Sequence, residues 1–425
     1  MAANLNSEFW RRINDLKIQL QSLYRIEGFQ LNDEESHAKN IVKPKILSRD
    51  EVITKLEDVI LTIVQDLSQE KPPSIKYNSR NSWKNTRFAD NLLEFRKVYS
   101  VVLSCCFLPY RFNSAVGIEM IDNINKTEHR FDSMASVGKF AATLQIIAFC
   151  YRLLQQDTYA TKRDIYYSDV PFFGNQGVVD SVVDNLACML KVPRYCLHVL
   201  AASKGCIAGD LRYKEHDGTH VDCMDKISGT MVSSHVQGIY DMHSDAKFVL
   251  VVEKEASFQR LMDDNVLQKL NPCIVITGKG FPDVNTRMMV RCLWSTLQIP
   301  ILALVDADPH GIEILSVYKF GSKALSFDAH SLTVPVIKWL GVLPSDINRL
   351  SIPRDKLIPL TDGDKCKARQ LLERPYIKSQ DAWLQEIDSM LSLGYKAEIQ
   401  ALSSISFDFL TVTYLPVKIK HGRWI

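Results

Sequence analysis

The chain carries almost no excess charge. Over 425 residues a formal net charge of +2 creates no whole-molecule field that would announce a polyanionic partner, so any nucleic-acid surface has to come from local clustering. None of its ten cysteines stand at CxxC spacing, and most lie in apolar runs such as LSCCFLPY and NLACMLKV. They read as reduced core thiols of an intracellular protein rather than a disulfide framework. His216, His220, His235 and His243 match no zinc spacing. A GxxxxGK(S/T) loop is missing, which argues against nucleotide hydrolysis by this chain. The N-terminus has no uninterrupted apolar stretch, and the longest apolar runs, near Val98 to Pro109, are too short to cross a bilayer, so no membrane role is expected.

What is present suits two or three packed domains, with 46% hydrophobic and 24% charged residues. Phe9, Ile13, Leu16, Leu20 and Leu23 alternate at spacings of four and three, one stripe of a helix that packs on its own domain or docks on a partner protein. Ser48 and Glu51 form a capping box before a second helix with apolar Ile53, Leu56, Ile60, Ile63 and Leu67. Lys71 to Ala89 holds five basic residues (Lys71, Lys76, Arg80, Lys84, Arg87) and no acidic one, and reads as a linker or as an arm touching phosphates. Leu92 to about Met120 reads as buried helix or strand. Helices are predicted over Lys139 to Gln156 and Val178 to Leu190. With the short segment between them and the β-type LHVLAASKGCIAGDLRY after them, they suggest a helix-turn-helix with a β-wing, and five basic residues against one acidic between Lys191 and Lys214 suit a phosphate-facing surface.

Between those two helices lies TKRDIYYSDVPFFGNQ, Thr161 to Gln176. A basic residue, Arg163, a carboxylate, and the adjacent phenols of Tyr166 and Tyr167 sit within five positions, a combination suited to phosphate chemistry. A phenol with a free pKa of roughly 10 is a poor nucleophile and needs a neighbouring base or cation, and a metal placed by another segment. Beyond a polar, turn-rich boundary at 215 to 245, fully apolar strands alternate with amphipathic helices, the pattern of a Rossmann-like parallel sheet covered on both faces. Glu253, the Gly278-Lys279-Gly280 turn, Asp306 and Asp308 all fall at the carboxyl ends of those strands, where functional residues gather. Three carboxylates there form an oxygen-rich site for a hard cation such as Mg2+, and the DxD spacing lets Asp306 and Asp308 leave the strand on one side; helix capping is the alternative use of such residues. Asp362 and Asp364 repeat the spacing without a strand and read as turn residues. The C-terminal hundred residues, with a helix near Gln380 to Leu393, add no independent chemistry.

The segments ATKRDIYYSD, LRY, VEKEASFQRL, ITGKGFPD, LVDADPHG and LTVPVIKWLG resemble the A subunit of topoisomerase VI and its eukaryotic relative, the meiotic double-strand-break transesterase. The likeness runs from about Ser136 to the C-terminus, is closer in wording to the meiotic branch, and is weakly diagnostic over residues 1 to 90. It implies an α/β multidomain chain: an N-terminal helical extension and basic linker (1–90), a winged-helix domain carrying the tyrosine (91–214), and a Toprim domain with a C-terminal extension (215–425). By family position Tyr167 would be the nucleophile, Tyr166 its neighbour and Arg163 a phosphate-neutralising cation. Glu253, Asp306 and Asp308 would hold Mg2+, and Lys204 and Phe281 would contact DNA. The resemblance further implies double-stranded DNA as substrate, a 5′-phosphotyrosyl link, a homodimer with the tyrosine of one protomer facing the metal site of the other, and a nuclear location. Other proteins of the meiotic break machinery, and a partner like the topoisomerase VI B subunit, are also implied. A catalytically silent DNA-binding scaffold, or the A subunit of an ATP-dependent type IIB topoisomerase, is the alternative.

Overall fold

The computed structural model describes residues 7–27, 47–80, 86–89, 117–120, 125–226 and 228–425. The expected buried stretch from Leu92 lies outside the described residues until Gly117. Two main hydrophobic cores organise the rest.

The first core is helical. Helix Val137–Gln156 turns Ile146, Ile147, Cys150, Leu153 and Leu154 inward at helical spacing, and helix Gln176–Leu190 answers with Val179, Val182, Val183, Leu186 and Leu190. Each buried Leu or Ile contributes about 2 kcal/mol, which fastens the pair. Among the described residues, Val137–Gln156 is the helix that by length and apolar composition could cross a membrane, and here its apolar face lines this core; the 98–109 run lies outside the described residues. Helix Arg49–Ser68 starts at the predicted capping box, Ser48 Oγ accepting from the Glu51 N–H. Its stripe is only partly covered: Val52, Leu56 and Ile63 are buried, while Ile60 and Leu67 stay exposed.

The second core surrounds a six-stranded sheet. In order across it run Thr230–Met231, Cys206–Gly209, Ile274–Thr277, Val249–Val252, Ile301–Leu304 and Lys338–Gly341. The last four are mutually parallel, and the first two join antiparallel at one edge. The parallel strands are buried along their length, as the unbroken apolar runs predict, apart from half-buried Lys338. Helices Glu255–Asp263, Val284–Leu297 and Pro309–Phe320 flank them.

Several non-local pairings depart from the sequence reading. Cys206–Gly209, read as part of a wing ending at 214, is an inner strand of the six-stranded sheet, pairing with Ile274–Thr277. Its run of small and apolar residues is as compatible with a sheet core as with a wing, and only the distant partner strand decides. Arg212–Lys214 joins His220–Asp222 and Tyr240–His243 in a small antiparallel sheet, so the stretch read as a boundary is structured. The described parts of residues 71–89 are not a simple linker: Ser74–Asn78 pairs antiparallel with Lys126–Arg130, and Thr86–Ala89 with Gly117–Met120. Ile75 and Tyr77 face inward, and Arg80 turns its guanidinium onto Asn185, Ser181 and Ala324 instead of presenting it to phosphates. The two N-terminal helices split between the cores. Helix Ser7–Glu27 buries Phe9, Ile13, Leu16 and Leu20 in the sheet core, whereas helix Arg49–Ser68 belongs to the helical one. Asp362 and Asp364 open helix Asp362–Leu372, Asp364 completing a capping box with Thr361.

Candidate active site

The tyrosine pair rides on helix Lys162–Ser168, two turns long. Thr161 Oγ1 accepts from the Asp164 N–H, and the Asp164 carboxylate accepts from the Thr161 N–H at 2.7 Å, a capping box that contributes about 1 kcal/mol. The carboxylate beside the phenols is therefore committed to starting the helix and does not serve as their base. Ile165 is buried, Tyr166 is half-buried against the helical core, and Tyr167, rotated a further 100° or so around the helix, is 69% exposed. The two phenol rings lie 5.4 Å apart. Arg163 is exposed one turn before Tyr167, on the same face.

Lys162 points the other way. Its ammonium donates to Asp184 Oδ1 at 2.8 Å and to the Asp180 carbonyl, tying the tyrosine helix to helix Gln176–Leu190. Arg80 and Arg194 share the same Asp184 carboxylate at 3.6 and 3.7 Å. Burial pulls both Lys162 and Arg194 below their ordinary pKa, against the pull of Asp184. The pair Arg163 and Lys162 thus divides into one exposed cation that makes no side-chain bond among the described residues and one spent on rigidity.

The acidic residues cluster on the sheet. Glu253 follows strand Val249–Val252 and accepts the Asp306 N–H on Oε2 at 2.8 Å. Strand Ile301–Leu304 ends before the DxD, so pleat alternation does not align the two aspartates. Instead Asp306 Oδ1 accepts the Ile399 N–H at 2.9 Å, and Asp308 caps helix Pro309–Phe320 by accepting the Gly311 N–H at 2.6 Å. The capping use weighed for such residues is therefore realised at Asp308. Glu253 and Asp306 are both buried. Burial first, then the charges of Asp306 and Asp308, lifts the Glu253 carboxyl to about 8, and burial also raises Asp306.

Three further residues complete this cluster without having stood out in the sequence. Lys254 Nζ lies 2.7 Å from Asp306 Oδ2 and 2.8 Å from Glu398 Oε1. Glu398 comes from a segment that only the tertiary fold brings here, latched by the Ala307–Ala397 backbone pair. At Gly311 a Cβ would stand 2.5 Å from the Asp306 carbonyl oxygen and 2.9 Å from Glu253 Oε2, so the crowding of the acids requires glycine there. Only its place in DPHG, next to the acids, signalled it.

The donor set is carboxylate oxygen alone, holding more negative charge than one ammonium balances, which fits a hard divalent cation. As the side chains stand, no three acidic, imidazole or thiol groups among the described residues converge tightly enough to grip an ion. Two of the Asp306 and Glu253 contacts above are to backbone N–H groups, and the remaining Asp306 oxygen is covered by Lys254.

Of the residues predicted to touch DNA, Arg163 lies on the tyrosine helix, while Lys204 and Phe281 meet at the glycine turn. Lys204 is exposed, its N–H donating to Asp283 Oδ2 and its ammonium to the Lys279 carbonyl, and it lies on the connection into strand Cys206–Gly209 rather than on a wing. Phe281 is 46% exposed. The Gly280 N–H donates to the Glu253 carbonyl, so this turn and the acids share one sheet edge. No hydrogen bond, ion pair or ring contact among the described residues joins Tyr167 to Glu253, Asp306 or Asp308, and the phenol and the acids stand on different cores.

Comparison with known proteins agrees with this division. A family profile for the Toprim domain of the topoisomerase 6 A-subunit/Spo11 group matches residues 248–419, and one described as type IIB DNA topoisomerase matches residues 138–199. The chain is 48% identical over 381 residues to the meiotic recombination protein SPO11 of Mus musculus and 47% identical to that of Homo sapiens, 90% of each chain being covered. It is 41% identical over 296 residues to the A subunit of DNA topoisomerase 6 from Arabidopsis thaliana, covering 69% of each. Its sheet edge of buried acids and its tyrosine-bearing helical core are thus parts of a Toprim-containing protein, and the chain belongs to the topoisomerase 6 A-subunit/Spo11 family.

Proposed function

We propose that this chain cuts double-stranded DNA by transesterification in the nucleus and so starts meiotic recombination, with Tyr167 as the nucleophile. The observation that carries the reading is the exposure of the Tyr167 phenol on a short helix in which Asp164 is committed to the cap and Lys162 to the core, while Arg163 stays exposed beside the phenol. The phenolic oxygen forms a bond to a backbone phosphorus as the bond to the 3′ oxygen breaks, and the phenol's proton is passed on while the departing 3′ oxygen ends as a hydroxyl. A 5′-phosphotyrosyl link results, and the number of phosphodiester bonds is unchanged.

The protein's task in so balanced an exchange is alignment and charge compensation. Arg163, one turn from Tyr167, meets the phosphate. Lys162 and the capping box hold the helix still. Glu253, Asp306 and Asp308 would hold Mg2+, which when bound compensates charge on the phosphate and leaving oxygens. Lys204 and Phe281 lie against the duplex beside that edge. Since no contact among the described residues joins the phenol to the acids, the working site is read as composite: the tyrosine of one copy faces the acids of a second in a two-fold dimer, matching the local symmetry of the duplex. The relatives named as subunits of topoisomerase 6 support a B-subunit-like partner, which would supply any ATP dependence.

Tyr167→Phe tests the reading. It should abolish covalent protein–DNA adducts in meiotic cells while DNA binding stays nearly intact; adducts that persist would move the nucleophile to Tyr166.

A further inference from the structure

The most unusual feature of the acidic edge is that it already contains a cation. Lys254, the residue after Glu253, initiates helix Glu255–Asp263 from an extended backbone position, so its own main chain is fixed. Its ammonium is shared almost evenly between Asp306 Oδ2, at 2.7 Å, and Glu398 Oε1, at 2.8 Å. The two acceptors differ in environment: the Asp306 side chain is 2% exposed and that of Glu398 46%, with Lys254 between them at 32%. Glu398 is held in place by its neighbours. The Ala307 and Ala397 main chains bond to each other in both directions, and the Ile399 N–H grips Asp306 Oδ1. The ammonium therefore lies on a short path from a buried carboxylate to a half-exposed one, both fixed by the same latch.

We propose that Lys254 is an internal counter-cation that occupies Asp306 in the metal-free protein and moves onto Glu398 when a divalent cation binds. This rests on the reading of Glu253, Asp306 and Asp308 as the metal-holding set. A hard cation takes oxygen ligands at about 2.0–2.1 Å, so on Asp306 Oδ2 it would stand beside an ammonium held by the same atom, and the two positive charges repel. That repulsion favours departure of the mobile ammonium. Without Lys254, the buried carboxylates of Glu253 and Asp306 would have no cation beside them, with half-buried Asp308 nearby; with it, the free protein is partly neutralised and the metal meets a resident charge. Glu398 makes that displacement inexpensive, because the ammonium leaves one carboxylate without losing the other. Lys254 thereby sets how much free metal the site needs.

The test uses the full-length protein without DNA and reads Mn2+ affinity by titration calorimetry, and the melting temperature in chelator and in Mg2+. Lys254→Met, which keeps the apolar stem, should bind Mn2+ about tenfold more tightly, the factor that about 1.4 kcal/mol of relieved competition supplies. In chelator it should melt lower than the parent, with a larger rise on adding Mg2+. Glu398→Gln should do the opposite to affinity, weakening Mn2+ binding several-fold, since the ammonium then has only Asp306. In the double variant the Glu398 effect should vanish, because no ammonium remains to be received. Equal or weaker Mn2+ binding in Lys254→Met would overturn the displacement, provided Glu253→Gln abolishes binding and so leaves the acidic site standing. Mn2+ binding that survives Glu253→Gln unchanged would instead remove the acidic site itself, and the displacement with it. An effect of Glu398→Gln that persists in the double variant would show Glu398 acting without Lys254, and would also overturn the proposal.

Discussion

Gly311→Ala is the sharpest probe of how tightly the acidic edge is built. In most helix positions the change would stabilise by up to about 1 kcal/mol, because alanine loses less backbone freedom than glycine. Here the added methyl would stand 2.5 Å from the Asp306 carbonyl oxygen, 2.9 Å from Glu253 Oε2 and 3.1 Å from the Asp306 nitrogen. Two of those three atoms are main chain and cannot swing aside. The third belongs to a side chain pinned by the Asp306 N–H. Relief has to come from a shift of the helix start at Pro309 or of the loop bearing Asp306. Overpacking of that kind costs about 1–3 kcal/mol, which outweighs the propensity gain. We expect a melting temperature lower by several degrees in chelator, together with weaker Mn2+ binding, because the shift separates Asp308, whose carboxylate caps the same turn through the Gly311 N–H, from Glu253. Differential scanning fluorimetry and calorimetric titration on one preparation measure both. A variant that melts at or above the parent temperature and binds Mn2+ unchanged would refute the crowding argument.

Three further outcomes follow from the same geometry. Glu253 has its folded-state pKa raised from 4.5 to about 8, so the folded protein holds that proton more tightly than the unfolded chain does. Its contribution favours the fold below about pH 4.5 and is lost as pH rises through about 8, by at most about 5 kcal/mol at 1.36 kcal/mol per unit. In chelator, Glu253→Gln should therefore gain stability over the parent as pH increases from 5.5 to 8.5; parallel melting curves across that range would contradict it. Lys162→Met removes the tether to Asp184 and the Asp180 carbonyl, so hydrogen exchange over the tyrosine helix should quicken and DNA cleavage should fall about tenfold, with DNA binding nearly constant. Unchanged exchange over residues 162–168 would show that the capping box alone holds the helix. Ile13→Ala should cost about 2–5 kcal/mol in the sheet core, where Ile13 is fully buried, and a loss below 0.5 kcal/mol in urea unfolding would mean that helix Ser7–Glu27 is not part of that core.

Local features are legible in the sequence. The capping box at Ser48, the inward stripes of helices Val137–Gln156 and Gln176–Leu190, and the apolar strands ending before Glu253 and Asp306 are all properties of a few neighbouring residues. Periodicity reports which way a side chain faces on its own element. That suffices to place the tyrosine pair on a helix and the acids at a sheet edge.

The choice of partner is a different kind of information. Cys206–Gly209 joins the sheet through Ile274–Thr277, Arg80 reaches Ala324 across 244 positions, and Asp306 is oriented by the Ile399 N–H 93 positions away. Nothing within those segments names the partner, because burial and hydrogen-bond satisfaction are settled by whatever surface the rest of the fold brings near. The sequence alone therefore determined the elements and the chemical groups they carry. The tertiary structure decided that Asp164 and Lys162 serve the helix rather than the phenol, that Gly311 makes room for the acids, and that Lys254 already stands among them.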